Sequence, residues 1–226
     1  MGVSSSLPDQ EASLDPSRFI EGIDRQLARR KVELSNLLLM VAEQNPDPTR
    51  LSCIARSSVV LTYAHWEGFV KQGSIAYVRL INDASVKVAD LKFPFQAAYV
   101  SSAFKRAAAS AKARYLGELL QEIDTRRLET FSISPDKCID TESNLSSTVF
   151  KEIIQGIGLD ILPFYETRSV FIDQRLVFAR NQVAHGELVS FDAVDVKDRV
   201  EGARILIDTY ADQLKRAASS NHYLKV

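Results

Sequence analysis

The chain has 226 residues, of which 46% are hydrophobic and 25% are charged, with a formal net charge of -1. This composition is ordinary for a protein with a buried core. The near-zero charge excludes a basic coat protein, so any nucleic acid must bind to a local basic surface. The two cysteines, Cys53 and Cys138, match no metal-ligand spacing and predict reduced thiols in a cytoplasmic protein. Neither a membrane-length apolar run nor a signal-peptide pattern is present, so we expect no membrane association.

Two acid–proline pairs predict the starts of the first two helices. Asp15-Pro16 and Asp47-Pro48 each place an N-capping carboxylate before a proline suited to the first helical position. They predict helices over residues 16–43 and 48–81, and the second helix carries a broad apolar stripe at helical spacing. The small, polar residues 1–14 predict a flexible leader. The stripe consists of Val59, Tyr63, Trp66, Val70 and Tyr77.

The rest of the chain continues to combine helical patterns with turn signals, and no strand–helix–strand alternation appears. The expected fold class is therefore all-α, a bundle of about six to seven helices with antiparallel neighbours. We expect one helical domain over residues 15–216 and a polar tail over residues 217–226. The remaining elements, in order, are a helix over about 95–121, a loop over 129–147 with a short strand at 130–133, a helix capped by Ser146 or Ser147 that ends near 156–158, a helix from Pro163 to His185, and a last helix from Phe191 or Asp192.

Residues that can transfer a proton or bind a phosphate cluster at the end of the helix predicted to follow Pro163. Arg180, Asn181 and His185 fall within less than two helical turns, and Gly186 follows as a natural C-terminal stop. Histidine is the side chain best able to exchange a proton near neutral pH. The planar fork of arginine matches a phosphate. In principle these two groups suffice to cleave RNA without a metal.

An ideal helical wheel places apolar residues on two opposed faces of this helix. One face is expected to meet the protomer's own core, and the other carries Asn181 and His185 among further apolar residues. A helix that is apolar on two faces is buried on both, and a second copy of the chain is the simplest outer partner. We therefore expect a homodimer that brings two copies of His185 together. The core face comprises Ile172, Leu176, Ala179 and Val183, and the dimer face comprises Val170, Phe171, Val177, Phe178 and Asn181.

A purely structural interpretation of the same residues is also open. His185 could simply end a helix, where a cation suits the helix dipole, and Arg180 could pair with a surface carboxylate. The bare Arg-x4-His pattern is degenerate. The two apolar faces and the flanking Asn181 and Gly186 favour a functional site.

Two segments of the chain resemble a known family. Arg180-Asn181 followed by Ala184-His185-Gly186 resembles the Arg-x4-6-His signature of the HEPN superfamily. Residues 61–71, Leu-Thr-Tyr-Ala-His-Trp-Glu-Gly-Phe-Val-Lys, are similar to the aromatic-Glu-Gly-Phe core of its prokaryotic RiboL-PSP and MAE-type branch. The resemblance covers roughly residues 18–215, and the two segments together are more specific than either alone.

The resemblance implies a HEPN-like helical bundle with extra helices that dimerises to build a composite site for RNA cleavage. It implies Arg180, Asn181 and His185 as the catalytic set, with Glu67 contributed by the earlier helix; an ion pair with Lys71 is the alternative role for Glu67. No metal or cofactor is expected. Many members are toxins or effectors in antiviral defence and toxin–antitoxin systems, so an operon-encoded antitoxin or sensor is a further expected partner.

RNA would need a local basic surface. Four cations, Lys105, Arg106, Lys112 and Arg114, occur in a stretch without a carboxylate and are candidate RNA contacts, although such a cluster is more often a solvated face.

The expected activity is metal-independent endoribonuclease cleavage by attack of the ribose 2′-hydroxyl. Two alternatives remain: a non-catalytic HEPN module that binds RNA, nucleotides or proteins, and a structural helical dimer whose motif residues are interface contacts.

Overall fold

The computed structural model describes residues 15–42, 47–110, 112–142 and 144–225, so the leader predicted over residues 1–14 lies outside the described part. The described residues form nine α-helices and no strand, which confirms the all-α prediction with more helices than expected. The bounds are α1 Pro16–Val41, α2 Pro48–Asp83, α3 Phe93–Tyr99, α4 Ser101–Ser110, α5 Ala113–Arg126, α6 Ser147–Gly156, α7 Pro163–Thr167, α8 Ala179–Ala184 and α9 Ala193–Ser219, with a π-helical segment over Phe171–Phe178 between α7 and α8.

Side-chain caps begin the long helices where the sequence predicts them. An Asp15 carboxylate oxygen accepts from the N–H groups of Ser17 and Arg18, at 2.6 and 3.0 Å. Asp47 does the same for Arg50 at 2.9 Å. These bonds satisfy N–H groups that have no partner inside the helix. The acid–proline pairs therefore fix the starts of α1 and α2.

The single helix predicted over residues 95–121 is wrong, because the chain forms α3, α4 and α5 there. Lys112 has an extended backbone, with φ -79° and ψ 142°, which separates α4 from α5. The two helices pack together around Ala103, Ala107 and Leu119, which form a small core of their own. A continuous helix could not bring these apolar side chains together.

The short strand predicted at residues 130–133 is also absent from the described structure. Thr130 makes one isolated bridge to Lys87, and a 3-10 turn over Val88–Asp90 follows at once, so the pairing cannot extend. The segment is held instead by Asn82, whose side chain donates to the carbonyl of Ile133 and accepts from its N–H. Its burial therefore comes from the end of α2 rather than from a sheet.

Three long helices, α1, α2 and α9, pack against one another and supply most of the main core. The apolar stripe predicted on α2 is fully buried, from Val59 to Tyr77. At the centre, the Ser74 hydroxyl lies 2.7 Å from the phenol oxygen of Tyr210, which ties α2 to α9. Within the described ranges, no helix combines the length and apolarity that a membrane span requires.

The predicted polar tail is wrong for the described residues between 217 and 225. Helix α9 continues to Ser219, and the side chain of Tyr223 is buried. The carbonyl of Tyr223 accepts from Lys92 N–H at 2.9 Å, and Leu224 bridges to Leu91. One aromatic side chain and a short backbone pairing thus fold the chain back onto the domain, despite the polar residues around them.

A polar contact joins α1 to α2 near the middle of the bundle. The Arg30 side chain is buried, and its Nε and Nη2 donate to the carbonyl of His65 and to Gln72 Oε1. His65 Nε2 lies 3.1 Å from a carboxylate oxygen of Glu33. Burial lowers the pKa of His65. The positive charge of Arg30 lowers this pKa further, and the negative charge of Glu33 raises it only in part. His65 is therefore a helix-contact residue.

Candidate active site

The helix that carries the motif is interrupted by the π-helical segment Phe171–Phe178, where a continuous α-helix is predicted. A π turn holds more residues than an α turn, so side chains advance by less than the 100° of an ideal wheel. Ile172, Leu176 and Ala179 are buried as predicted, but Val183 is only partly buried. The helical wheel therefore predicts the core face correctly up to Ala179 but not at Val183, next to the motif.

The change of register also corrects part of the predicted dimer face. Phe171 packs on the protomer's own α9, where a Cβ atom added at Gly202 would lie within 3.0 Å of three atoms of its ring. Val177 is partly buried against the same core. Val170 and Phe178 remain exposed, by 73% and 53%. The outward apolar surface is thus smaller than the sequence predicts.

Polar contacts on both sides fix the π-helical segment. Asp173 accepts from the N–H and the hydroxyl of Ser147 at the start of α6, both at 2.7 Å. Arg175 pairs with Asp195 at the start of α9, and Arg199 donates to the Arg175 carbonyl. The helix that leads to the motif is therefore anchored to two other helices before α8 begins.

Arg180 lies against α2. The centre of its guanidinium is 4.4 Å from the centroid of the Tyr63 ring, and its Nη1 donates to Asn181 Oδ1 at 2.8 Å. The Tyr63 hydroxyl in turn accepts from the N–H of Leu145 at 2.7 Å. Stacking on an aromatic face orients a guanidinium while leaving its charge intact. Tyr63 thus orients the motif arginine, a role that the sequence did not reveal.

Glu67 lies one helical turn beyond Tyr63 on α2 and is partly exposed. Burial raises the pKa of the Tyr63 phenol, the negative charge of Glu67 raises it further, and Arg180 opposes both. Glu67 and Arg180 therefore act electrostatically on the same phenol. The structure brings Glu67, Arg180 and Asn181 into one neighbourhood around Tyr63.

His185 lies at the C-terminal end of α8 and is exposed. Its N–H donates to the carbonyl of Asn181 at 2.9 Å, which closes the last turn. Gly186 then leaves the helix with φ +77°, a left-handed conformation that favours glycine. The imidazole is accordingly open to a substrate or to a second protein chain.

The segment after Gly186 is tied to α2 by an arginine that sequence reasoning missed. Arg56 Nη1 donates to the carbonyl of Glu187 at 2.8 Å and lies 3.4 Å from that of Val189. Arg56 and Tyr63 are seven residues apart, a spacing that places both on one face of a helix. That spacing is the only signal in the sequence, and it says nothing about which loop the arginine meets.

The four candidate RNA contacts lie on the α4–α5 hairpin. Lys105, Arg106, Lys112 and Arg114 are all exposed. Folding brings carboxylates to two of them, since Arg106 pairs with Glu122 and Arg114 pairs with Glu118 across one helical turn. The stretch that lacks carboxylates in the sequence therefore acquires them from α5.

The fold and this arrangement define a helical domain of the HEPN class. A family model described as RiboL-PSP-HEPN matches residues 25–216, most of the chain, and the protein belongs to that family. This match confirms the resemblance inferred from residues 61–71 and 180–186. HEPN domains generally dimerise and bind RNA, and many of them cleave it. Neither the curated proteins nor the solved structures contain a significant match to this chain.

Proposed function

We propose that the protein is an endoribonuclease that cleaves RNA without a metal, at a site shared by two copies of the chain. The observation that carries the proposal is the guanidinium of Arg180, held on the Tyr63 ring and hydrogen-bonded to Asn181. Cleavage of a phosphodiester by an internal nucleophile needs a cation and a proton-transfer group, and the chain offers the oriented Arg180 and the exposed imidazole of His185 five residues further on.

The ribose 2′-hydroxyl is the nucleophile in this mechanism. One His185 takes its proton as the oxygen attacks phosphorus, and the His185 of a second copy protonates the departing 5′-oxygen. Arg180 stabilises the added negative charge on the phosphorane, and Asn181 holds Arg180 or a phosphate oxygen. The products are a 2′,3′-cyclic phosphate and a 5′-hydroxyl, and DNA is not cut because it lacks the nucleophile.

Exposed apolar side chains around the motif support a homodimer. Val170 and Phe178 retain the outward positions predicted for a dimer face, and Leu188, just beyond His185, is 100% exposed. Exposed apolar side chains mark a contact surface when they form one patch, and the proposed dimer would bury these three together. A twofold pairing through Phe178 brings the two copies of α8 together, and with them both copies of His185.

The α4–α5 hairpin supplies the RNA contacts in this proposal. Lys105 and Lys112 offer the more accessible charge, because Arg106 and Arg114 must first leave Glu122 and Glu118. A cytoplasmic role in antiviral defence or a toxin–antitoxin system, with an operon-encoded antitoxin or sensor, is part of the proposal, and family membership is its sole support.

The test is cleavage of labelled single-stranded RNA and of total tRNA in EDTA by wild type, His185→Ala and Arg180→Ala. We expect cyclic-phosphate ends from wild type only. Substituting Arg79, an exposed arginine on α2, by alanine provides the matched control and should leave cleavage unchanged. Equal cleavage by wild type and His185→Ala would overturn the proposal. RNA binding by wild type without cleavage would favour the non-catalytic module.

A mixing experiment tests the shared site. Wild type and His185→Ala are unfolded together, refolded at varying ratios and assayed. If each site needs two copies of His185, activity falls with the square of the wild-type fraction. A linear decrease would contradict the division of acid and base between two copies.

A further inference from the structure

The position of His185 depends on the short segment that follows it. The chain leaves α8 through Gly186 in a left-handed conformation, and Leu188 is fully exposed. Local bonds join Glu187 to Gln182, through the Glu187 N–H and through the two side chains. These bonds move with α8, so they cannot fix the segment relative to the rest of the domain.

Two contacts connect this segment to the domain. At its far end the Phe191 ring packs under Arg199 of α9, and close to His185 the contact comes from Arg56. Its guanidinium reaches across 131 residues of sequence to the Glu187 carbonyl and lies close to that of Val189. The five N–H donors of a guanidinium form a rigid fork that can serve two acceptors together. Arg56 therefore connects the exit from α8 directly to α2.

One face of α2 consequently contacts both ends of the motif. Tyr63 lies against Arg180 at one end, and Arg56 contacts the chain just after His185 at the other. Helix α2 is 36 residues long and buries 14 of them, so it forms a stiff reference for both contacts. The two motif side chains are thus located relative to the same element.

We propose that Arg56 is a positioning residue for His185. It sets the path of residues 187–189 and thereby the direction of the imidazole, and it touches no RNA. The effect on catalysis rests on the proposed function, whereas the effect on the histidine does not.

The test uses the three histidines of the chain, His65, His185 and His222. Ring-labelled protein is observed by NMR, with His185→Ala assigning its signal, and Arg56→Met, Arg56→Lys and the matched control Arg79→Met are compared. Arg56→Met should shift and narrow the His185 signal as the segment becomes mobile, and leave those of His65 and His222 in place. The control should change none of them.

Kinetics supply the second readout. Arg56→Met should lower kcat about tenfold to a hundredfold with KM within about twofold, because misplacing a catalytic group affects the chemical step more than binding. Arg56→Lys should recover part of the loss, because an ammonium can still donate to one carbonyl. An unchanged His185 signal in folded Arg56→Met protein would overturn this proposal. Failure of wild type to cleave RNA would overturn the proposed function alone.

Discussion

Arg180 lies with the centre of its guanidinium 4.4 Å from the centroid of the Tyr63 ring, which itself belongs to the buried stripe of α2. The cation of the site is therefore supported by a core residue rather than by another surface charge. The Tyr63 hydroxyl accepts from the N–H of Leu145, and a hydrogen bond from the Arg180 side chain also acts on the phenol. Arg180 thus contacts the ring and the hydroxyl, and substitutions can remove the hydroxyl alone or the whole aromatic group.

Tyr63→Phe should lower the free energy of unfolding by about 1–3 kcal/mol, because the buried Leu145 N–H loses its acceptor. It should slow cleavage less than Tyr63→Leu does, because the aromatic ring that Arg180 stacks on remains. Tyr63→Leu also removes the cation–π contact, worth about 0.5–2 kcal/mol, and should slow cleavage about two- to thirtyfold. Chemical unfolding and single-turnover cleavage measure the two effects. Equal cleavage by both variants would show that the ring does not orient Arg180.

Gly186→Ala should strain the exit from α8. Gly186 has φ +77° and no atom within 4 Å of an added Cβ, so only backbone strain acts, at about 1–2 kcal/mol. We expect a lower free energy of unfolding and slower cleavage. Gly22→Ala in α1 is the matched control, because the added Cβ there also has no atom within 4 Å. Gly22 lies inside a helix, so this change should raise the free energy of unfolding by about 0.5–1 kcal/mol. Effects of the same sign for both glycines would contradict this explanation.

Gly202→Ala should destabilise the protein by overpacking. The new methyl group would lie within 3.0 Å of three Phe171 ring atoms, and such insertions typically cost about 1–3 kcal/mol. Phe171→Leu alone creates a cavity, whereas in the double variant the alanine methyl group partly fills it. The double variant should therefore lose less stability than the sum of the single changes, as measured by urea unfolding. Strict additivity would place Phe171 away from α9, for instance in a dimer contact.

Acid should weaken the contact between α1 and α2. Burial lowers the pKa of folded His65 below its unfolded value of 6.5, so between those two values the unfolded chain binds more protons. The stabilisation is fully present above pH 6.5 and is lost as the pH falls through the folded pKa. Urea unfolding at pH 7.5 and at pH 5.5 should show a smaller loss for His65→Gln than for wild type. If wild type and His65→Gln lost the same free energy of unfolding between the two pH values, His65 would not be the cause of the acid sensitivity.

The sequence predicts the motif well where its residues are close together in the chain. Arg180, Asn181 and His185 share one short segment, so any helix places them near one another. The role of Glu67 in the site was predicted only from the family resemblance. Arg56 escaped notice because its role depends on a contact with the carbonyl of Glu187, 131 residues away, and no property of an isolated arginine indicates it.

Fold predictions failed where packing overrode a local pattern. The α4–α5 break at Lys112 lets two short helices bury Leu119, although the local sequence favours one helix. The tail was misread because one buried aromatic residue, Tyr223, outweighs several polar neighbours. Both cases depend on partners that lie elsewhere in the chain.

The π-helical segment Phe171–Phe178 implies that chain length is itself a determinant of the site. Each π turn spans one residue more than an α turn. Deleting a single residue there would let the segment revert to ordinary α geometry and rotate Arg180 away from Tyr63, even with every named side chain still present. Point substitutions examine side chains one at a time, so only variants that shorten or lengthen this segment would reveal the dependence.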